Sequence, residues 1–374
     1  MSESEDVHCF IDIGYPFSNT SLSSYFADDL RQFRYYFTGW LGSVICLVGI
    51  LGTIRILMLM QRPDFRSRVS RVLTVQLIWD ILLLISSWCV VSMTSLHHKG
   101  EFPYFGKWVH PTRIFYVVMN ITMTADVWIT LMLTTERYLS ICYPLRARYW
   151  CTSARLKLAT LVIGLISIVF PLPRYFEYDI QYCRYNPFSM DTVALMRHSY
   201  LLSSRFYWAY YRLIGSMIFV SVFPMIALCN LTLLIIVKLH KSKTDSIPPY
   251  ELTACNQSKN PSQPAVKTML RHEVSIGRLS HRKRIETQLN KLLTAIFVKF
   301  LLCFLLPCVT DIMEAALEGE FQTESYVYIV DISNFLVIFH AATNFFILLL
   351  FSPKFRRHFF RARSTTAEHT RTTF

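Results

Sequence analysis

Ionisable side chains that lie in or at the ends of apolar stretches include Asp80, Asp126, the adjacent Glu136 and Arg137, and His340. Charge is costly in such surroundings, so these groups mark ion or proton paths, polar switches or counter-charge networks. Asp126 precedes Arg137 by 11 residues. At about 100° per residue that spacing returns both to within roughly 20° of one helix face. An arginine at a helix end in a membrane needs a counter-charge, and Glu136 can supply it. Asp80, Asp126, Arg137 and His340 could also line the ion path of a transporter or channel. Against that reading, no internal repeat relates two halves of the chain. There is no zinc-finger spacing, phosphate loop, nucleophile elbow or metalloprotease motif, so the chain is not expected to be an enzyme. His97, His98 and His110 are expected in loops rather than in a metal site.

Such groups need a membrane-spanning scaffold to position them. Hydrophobic residues make up 53% of the chain, aromatics 15% and charged residues 17%, too apolar for an ordinary soluble domain. A run of about 20 apolar residues spans a hydrocarbon core of roughly 30 Å while pairing its backbone groups internally. Seven runs qualify: 37–60, 72–96, 114–142, 156–172, 213–237, 292–317 and 327–351. Pro171, Pro224 and Pro307 interrupt some of them, which neighbouring helices can accommodate. The expected fold is an all-α membrane protein, a seven-transmembrane helix bundle over 37–351. A tail over 1–36 precedes it, and 352–374 follows as a short interfacial helix and cytoplasmic tail.

The net charge of +13 would point to nucleic acid in a soluble protein, but its distribution here is topological. Arg62, Arg66, Arg68 and Arg71 follow the first run. Arg146, Arg148, Arg155 and Lys157 separate the third from the fourth, and Lys354, Arg356, Arg357, Arg361 and Arg363 follow the seventh. The positive-inside rule makes these segments cytoplasmic and the amino terminus extracellular, in a multi-pass plasma-membrane protein whose partner is the lipid bilayer and not nucleic acid. Acidic residues crowd the other side: Glu3, Glu5, Asp6, Asp12, Asp28 and Asp29 in the tail, and Glu314, Glu318, Glu320 and Glu324 between the last two runs. No apolar signal segment precedes residue 37, so the first span is expected to act as its own insertion signal. Asn19-Thr20-Ser21 is a glycosylation acceptor on the expected outer side.

The connection over 238–291 is rich in Ser, Lys, Pro and Gln and lacks apolar periodicity, the signature of a flexible cytoplasmic loop. Its last part, 278–291, carries His281-Arg282-Lys283-Arg284 and is expected to extend the sixth helix, as a lipid anchor or a contact for a cytoplasmic partner. Beyond Ser352-Pro353, Phe355 and Phe359 sit four apart among Lys354, Arg356 and Arg357, the pattern of a short interfacial amphipathic helix. Ser364, Thr365, Thr366, Thr370, Thr372 and Thr373 close the chain. If phosphorylated they would form an anionic patch for a basic partner, and otherwise they are a plain solvated tail. Among ten cysteines, Cys142, Cys151 and Cys255 face the reducing side, and Cys46, Cys229, Cys303 and Cys308 lie in apolar runs. That leaves Cys9, Cys183 and Cys89 as disulfide candidates.

The segment Glu136-Arg137-Tyr138, with Pro144 six residues beyond Tyr138, strongly resembles the signature of rhodopsin-type G-protein-coupled receptors. The resemblance extends to Asp80, Pro224, Pro307, and Asn344-Phe345-Phe346-Ile347-Leu348 followed by Lys354-Phe355-Arg356. Within that superfamily, Leu172-Pro173-Arg174-Tyr175-Phe176-Glu177 is similar to the PRFFE motif of invertebrate FMRFamide-type neuropeptide receptors, and Leu228-Cys229-Asn230 and Ser333-Asn334-Phe335 are similar to that branch too. The resemblance implies a receptor in which Glu136 holds Arg137 until activation frees it for a heterotrimeric G protein. It also implies an extracellular peptide ligand, expected to be cationic, amidated and of the RFamide type.

Some positions depart from the family pattern. Thr112 replaces the third-helix cysteine that normally pairs with the second outer loop, leaving Cys183 to pair with Cys9 or Cys89 or to stay free. Thr53, Gly164, Leu305 and Leu348 replace an asparagine, two tryptophans and a tyrosine. The alternative is therefore a divergent chemosensory or weakly signalling orphan receptor of the same fold. Asp126 stands where the family has serine beside Asp80. Two carboxylates in a dry bundle repel unless one is protonated or a cation joins them. His340, four residues before Asn344, is the candidate cation, so that Asp80, Asp126, His340 and Asn344 would replace or strengthen the sodium-ion site of related receptors, or form a fixed structural network.

On the ligand side, Glu177, Asp311 and Glu314 lie near expected outer helix ends, where an acidic mouth would attract a cationic peptide. A carboxylate would pair with the peptide arginine while Tyr116, Tyr207 or Phe335 packs on its phenylalanine. Taken singly, the same acids are ordinary solvated surface and the same aromatics ordinary helix packing.

Overall fold

The computed structural model describes residues 24–62, 68–97, 105–184, 192–244, 290–313, 324–351 and 355–356. Seven helices within them are long and apolar enough to cross a membrane: Asp29–Met60, Val69–Leu96, Val109–Cys142, Ser153–Phe176, Tyr207–Lys238, Asn290–Met313 and Ser325–Phe351. Most begin several residues before the apolar runs do. In the first helix the added turns carry Arg34, whose guanidinium donates to Asp331 of the seventh helix at 2.8 Å. A helix can continue past its apolar stretch wherever such a partner satisfies the polar side chain.

The third helix is the axis, packing against the second, fourth and fifth, while the first packs against the seventh. Two apolar layers fill the interior. One, around Leu73, Leu77, Ile129, Phe297 and Leu348, lies toward the Arg137 end and takes in Phe355 from beyond the seventh helix. The other, around Leu83, Leu84, Val127, Phe300, Phe304 and Ile338, lies toward the opposite end. Phe355 is buried, while Phe359 and most of the expected interfacial helix lie outside the described residues.

Close contact between the first and seventh helices depends on glycine. A Cβ at Gly49 would lie 2.7 Å from that of Ala342, and one at Gly52 would lie 2.5 Å from the Phe345 ring. Gly52→Ala should therefore destabilise the bundle by about 1–3 kcal/mol through overpacking. The helix-propensity gain of about 1 kcal/mol is smaller. Thermal unfolding of the purified protein checks this, and a midpoint at or above wild type would refute it.

The fifth helix opens with π-helical turns, Tyr207–Gly215 and Met217–Val222, just before Pro224. A proline ring clashes with the carbonyl four residues earlier, here Val220, so the preceding turn is widened.

One element lies outside the all-α expectation. Strands β1, Tyr178–Arg184, and β2, Thr192–His198, pair antiparallel from Tyr178↔His198 to Arg184↔Thr192. Tyr178, Ile180 and Tyr182 alternate with Asp179 and Gln181, a period-two signal too short to register beside seven helical runs. The hairpin follows the fourth helix and caps the end of the bundle away from Arg137.

Candidate functional site

Polar side chains gather at three depths. At one end, Arg137 donates from Nε to Glu136 Oε2 at 2.6 Å and from Nη2 to Oε1 at 3.0 Å, a two-point grip, and Ser140 Oγ donates to Oε1 at 3.3 Å. Both charged side chains are about nine-tenths covered. A bidentate pair so shielded from water is stronger than an exposed one. Tyr138 faces Tyr143 edge-on with ring centres 5.9 Å apart. Nearby, Arg71 Nη2 donates to Ser153 Oγ at 2.6 Å, joining the second and fourth helices.

At mid-depth, Asp80, Asp126 and His340 are fully buried, with Asn344 almost so. The structure brings together the four residues expected to cluster, and adds two more. Asn344 Nδ2 donates to Asp80 Oδ2 at 2.7 Å. Gln76 Nε2 donates to Asp126 Oδ1 at 3.0 Å and to Thr130 Oγ1 at 2.9 Å. His340 Nε2 lies 3.3 Å from Asp126 Oδ2, yet neither ring nitrogen makes a hydrogen bond. Its ring instead stands edge-on to the stacked rings of Phe300 and Phe304. The cation that bonds within this cluster comes from Lys299 on the sixth helix. Its ammonium donates to the His340 carbonyl at 2.6 Å and, in a very short contact, to Asn344 Oδ1. Lysine inside an apolar run was a signal present in the sequence and worth as much as Asp126.

Near the hairpin the geometry corrects an expectation. Glu177 is not an exposed acid at the mouth: it is fully buried. Its carboxylate accepts from Arg212 Nη1 at 2.6 Å and from the Tyr116 and Tyr207 hydroxyls at 3.1 Å each. The backbone fixes its place as well, since the Ser199 N–H donates to the Glu177 carbonyl at 2.9 Å. Tyr178 packs edge-on against Tyr116, and burial pushes its phenol above the ordinary value, which keeps the ring neutral. Beside this group Arg174 donates to Asn120 Oδ1 at 2.5 Å and to Ser216 Oγ at 2.7 Å, tying the fourth helix to the third and fifth.

The remaining candidates lie apart. Asp311, half-buried on the sixth helix, accepts a very short hydrogen bond from Ser221, which also lines a small cleft with Val127, Phe304 and Pro307. Phe335 packs on Phe37 of the first helix, with ring centres 4.4 Å apart, rather than beside Tyr116 and Tyr207. Cys89 is a free, buried thiol. Cys183 occupies β1 opposite Val193. Asn19, Cys9 and Glu314 lie outside the described residues, as do the basic cluster 281–284 and the terminal serines and threonines.

A seven-helix bundle whose third helix carries a paired Glu136-Arg137 near its end points to one family, and a sequence profile decides it. The profile of the 7 transmembrane receptor (rhodopsin family) matches residues 54–348, more than half of the chain. The chain belongs to this family. As a rhodopsin-family receptor it is a multi-pass membrane protein and not an enzyme. It is similar to a FMRFamide receptor of Drosophila melanogaster, 26% identical over 339 residues that cover 88% of this chain and 54% of that protein. It is likewise 26% identical to a FMRFamide peptide receptor of Caenorhabditis elegans, over 84% of this chain and 66% of the other. A sex peptide receptor of Drosophila melanogaster is 23% identical over 60% of this chain and 53% of its own length. This rhodopsin-family chain thus spans about half to two thirds of the length of these relatives.

Proposed function

We propose that the protein is a plasma-membrane receptor for an extracellular neuropeptide, a cationic, amidated peptide of the RFamide type, and that it activates a heterotrimeric G protein. The observation that carries this reading is the similarity to two receptors named for FMRFamide, over 84% or more of this chain. The positive-inside distribution of arginines supports an extracellular amino terminus and a cytoplasmic carboxyl terminus. An arrestin would join after the terminal serines and threonines are phosphorylated.

With Glu177 held by Arg212, the peptide arginine is assigned to Asp311, on the sixth helix near the cleft bounded by Phe304 and Pro307. Tyr116 and Tyr207 then act by orienting Glu177 rather than by packing on the ligand. Asp311→Asn should weaken an Arg-Phe-amide agonist about tenfold or more, by removing a charge-assisted contact. Dose–response curves in cells with matched surface receptor would test this, and unchanged potency would remove Asp311 from the site.

The function itself is tested by screening amidated peptides against the expressed receptor with several G-protein readouts. Agonism by an Arg-Phe-amide peptide, lost when the amide becomes an acid, is the expected result. Silence across the panel, with receptor present at the surface, would favour a divergent relative that signals weakly, a reading motivated by Leu305 and the buried Leu348 at two switch positions.

A further inference from the structure

Two carboxylates enclosed in the middle of a bundle require a positive charge or a proton. Asp80 and Asp126 are both fully buried, and one oxygen of each, Asp80 Oδ1 and Asp126 Oδ2, makes no hydrogen bond. The acceptors around them look like the donor set for a small metal cation, but the fit fails at one atom. Asn344 Oδ1, which such an ion would need, already holds the Lys299 ammonium. A metal ion here would face a second positive charge within the same few ångströms. His340 Nε2 comes within 3.3 Å of Asp126 Oδ2 without hydrogen-bond geometry, and its ring stands against the stacked Phe300 and Phe304 rings, so it does not bridge the two carboxylates.

We infer that Lys299 is a built-in counter-cation that takes the place of a sodium ion among Asp80, Asp126 and Asn344 and clasps the sixth helix to the seventh. Its two hydrogen bonds reach Asn344 Oδ1 and the His340 carbonyl. The Asn344 amide completes a relay: its oxygen accepts from Lys299 while its nitrogen donates to Asp80 on the second helix. One lysine thereby couples three helices. The cation is covalently part of the sixth helix, so it can leave the carboxylates only if that helix moves or the side chain swings away. A dissociable ion would leave by itself. The clasp should therefore be indifferent to sodium.

The test uses the full chain purified in lipid nanodiscs, with thermal unfolding followed in sodium chloride and in N-methylglucamine chloride of equal ionic strength. It needs no agonist, so its outcome is separate from that of the peptide reading. Wild type should melt at the same temperature in both salts. Lys299→Met should melt lower in N-methylglucamine and regain about 4 °C or more in sodium, a gain abolished by adding Asp80→Asn. Sodium-dependent melting of wild type that is lost in Asp80→Asn would overturn the inference, as would a Lys299→Met variant blind to sodium. Should Lys299→Met fail to fold, the double variant Lys299→Met/Asp126→Ser, which removes one charge of each sign, is expected to recover folded protein, and no recovery would count against the clasp.

Discussion

Replacing Arg212 with methionine is expected to destabilise the bundle by about 3–5 kcal/mol and to clear most of the protein from the cell surface. The size follows from what is left behind. Glu177 is fully buried, and Arg212 provides its only charged hydrogen-bond donor among the described residues, at 2.6 Å. Tyr116 and Tyr207 would still donate at 3.1 Å, but two neutral hydroxyls do not balance an enclosed carboxylate. Glu177→Gln in the same background removes the stranded charge, so the double variant should recover most of the loss. Surface-labelled receptor and the melting temperature in nanodiscs measure both effects. Simple addition of the two single-variant effects would show that the residues do not act as a pair.

The same residue shows where reading a sequence stops. Glu177 follows an apolar run and precedes polar residues, so by composition it belongs at a wet helix end. Its burial comes from the hairpin beyond it and from an arginine 35 residues later on another helix. Neither is a local property. The runs themselves were legible because spanning a membrane requires about 20 apolar residues whatever the fold around them. Their ends were less so: the first helix starts at Ser24, well before its apolar run, and carries Arg34, which finds Asp331, 297 residues away.

Mid-depth gives a similar division. Helical periodicity put Asp126 on the face of Arg137, and the four residues expected to cluster do meet. Which cation joins them depends on how the sixth helix is rotated, and that is set by its Phe300 and Phe304 packing into the core with Val127 and Ile338 of other helices. Lys299 bonds to groups 41 and 45 residues away. Gln76, which holds Asp126 from the second helix, carries no charge to attract attention in a hydropathy pattern. Ionisable residues in apolar runs are therefore best read together across all helices before one is assigned as the counter-charge.

Glu136→Gln is expected to raise agonist-independent G-protein output about tenfold, and Arg137→Met to silence both basal and agonist-driven output. In the structure the carboxylate takes both Nε and Nη2 of Arg137, and the pair is about nine-tenths covered, so little water competes for it. A hydrogen bond to a charged group contributes about 1.5–3 kcal/mol, against roughly 1 for a neutral one. The glutamine amide can still accept one bond from the charged guanidinium, so the loss is the second bond and the carboxylate's charge. A loss of about 1.4 kcal/mol from the resting state alone multiplies the active population tenfold while that population is small. Ser140 reinforces the grip at 3.3 Å, so Ser140→Ala should move output in the same direction by a smaller factor. Nucleotide exchange in membranes, normalised to surface receptor, is the measurement. Glu136→Gln with basal output equal to wild type would show that the pair, although closed in the structure, does not hold the receptor at rest.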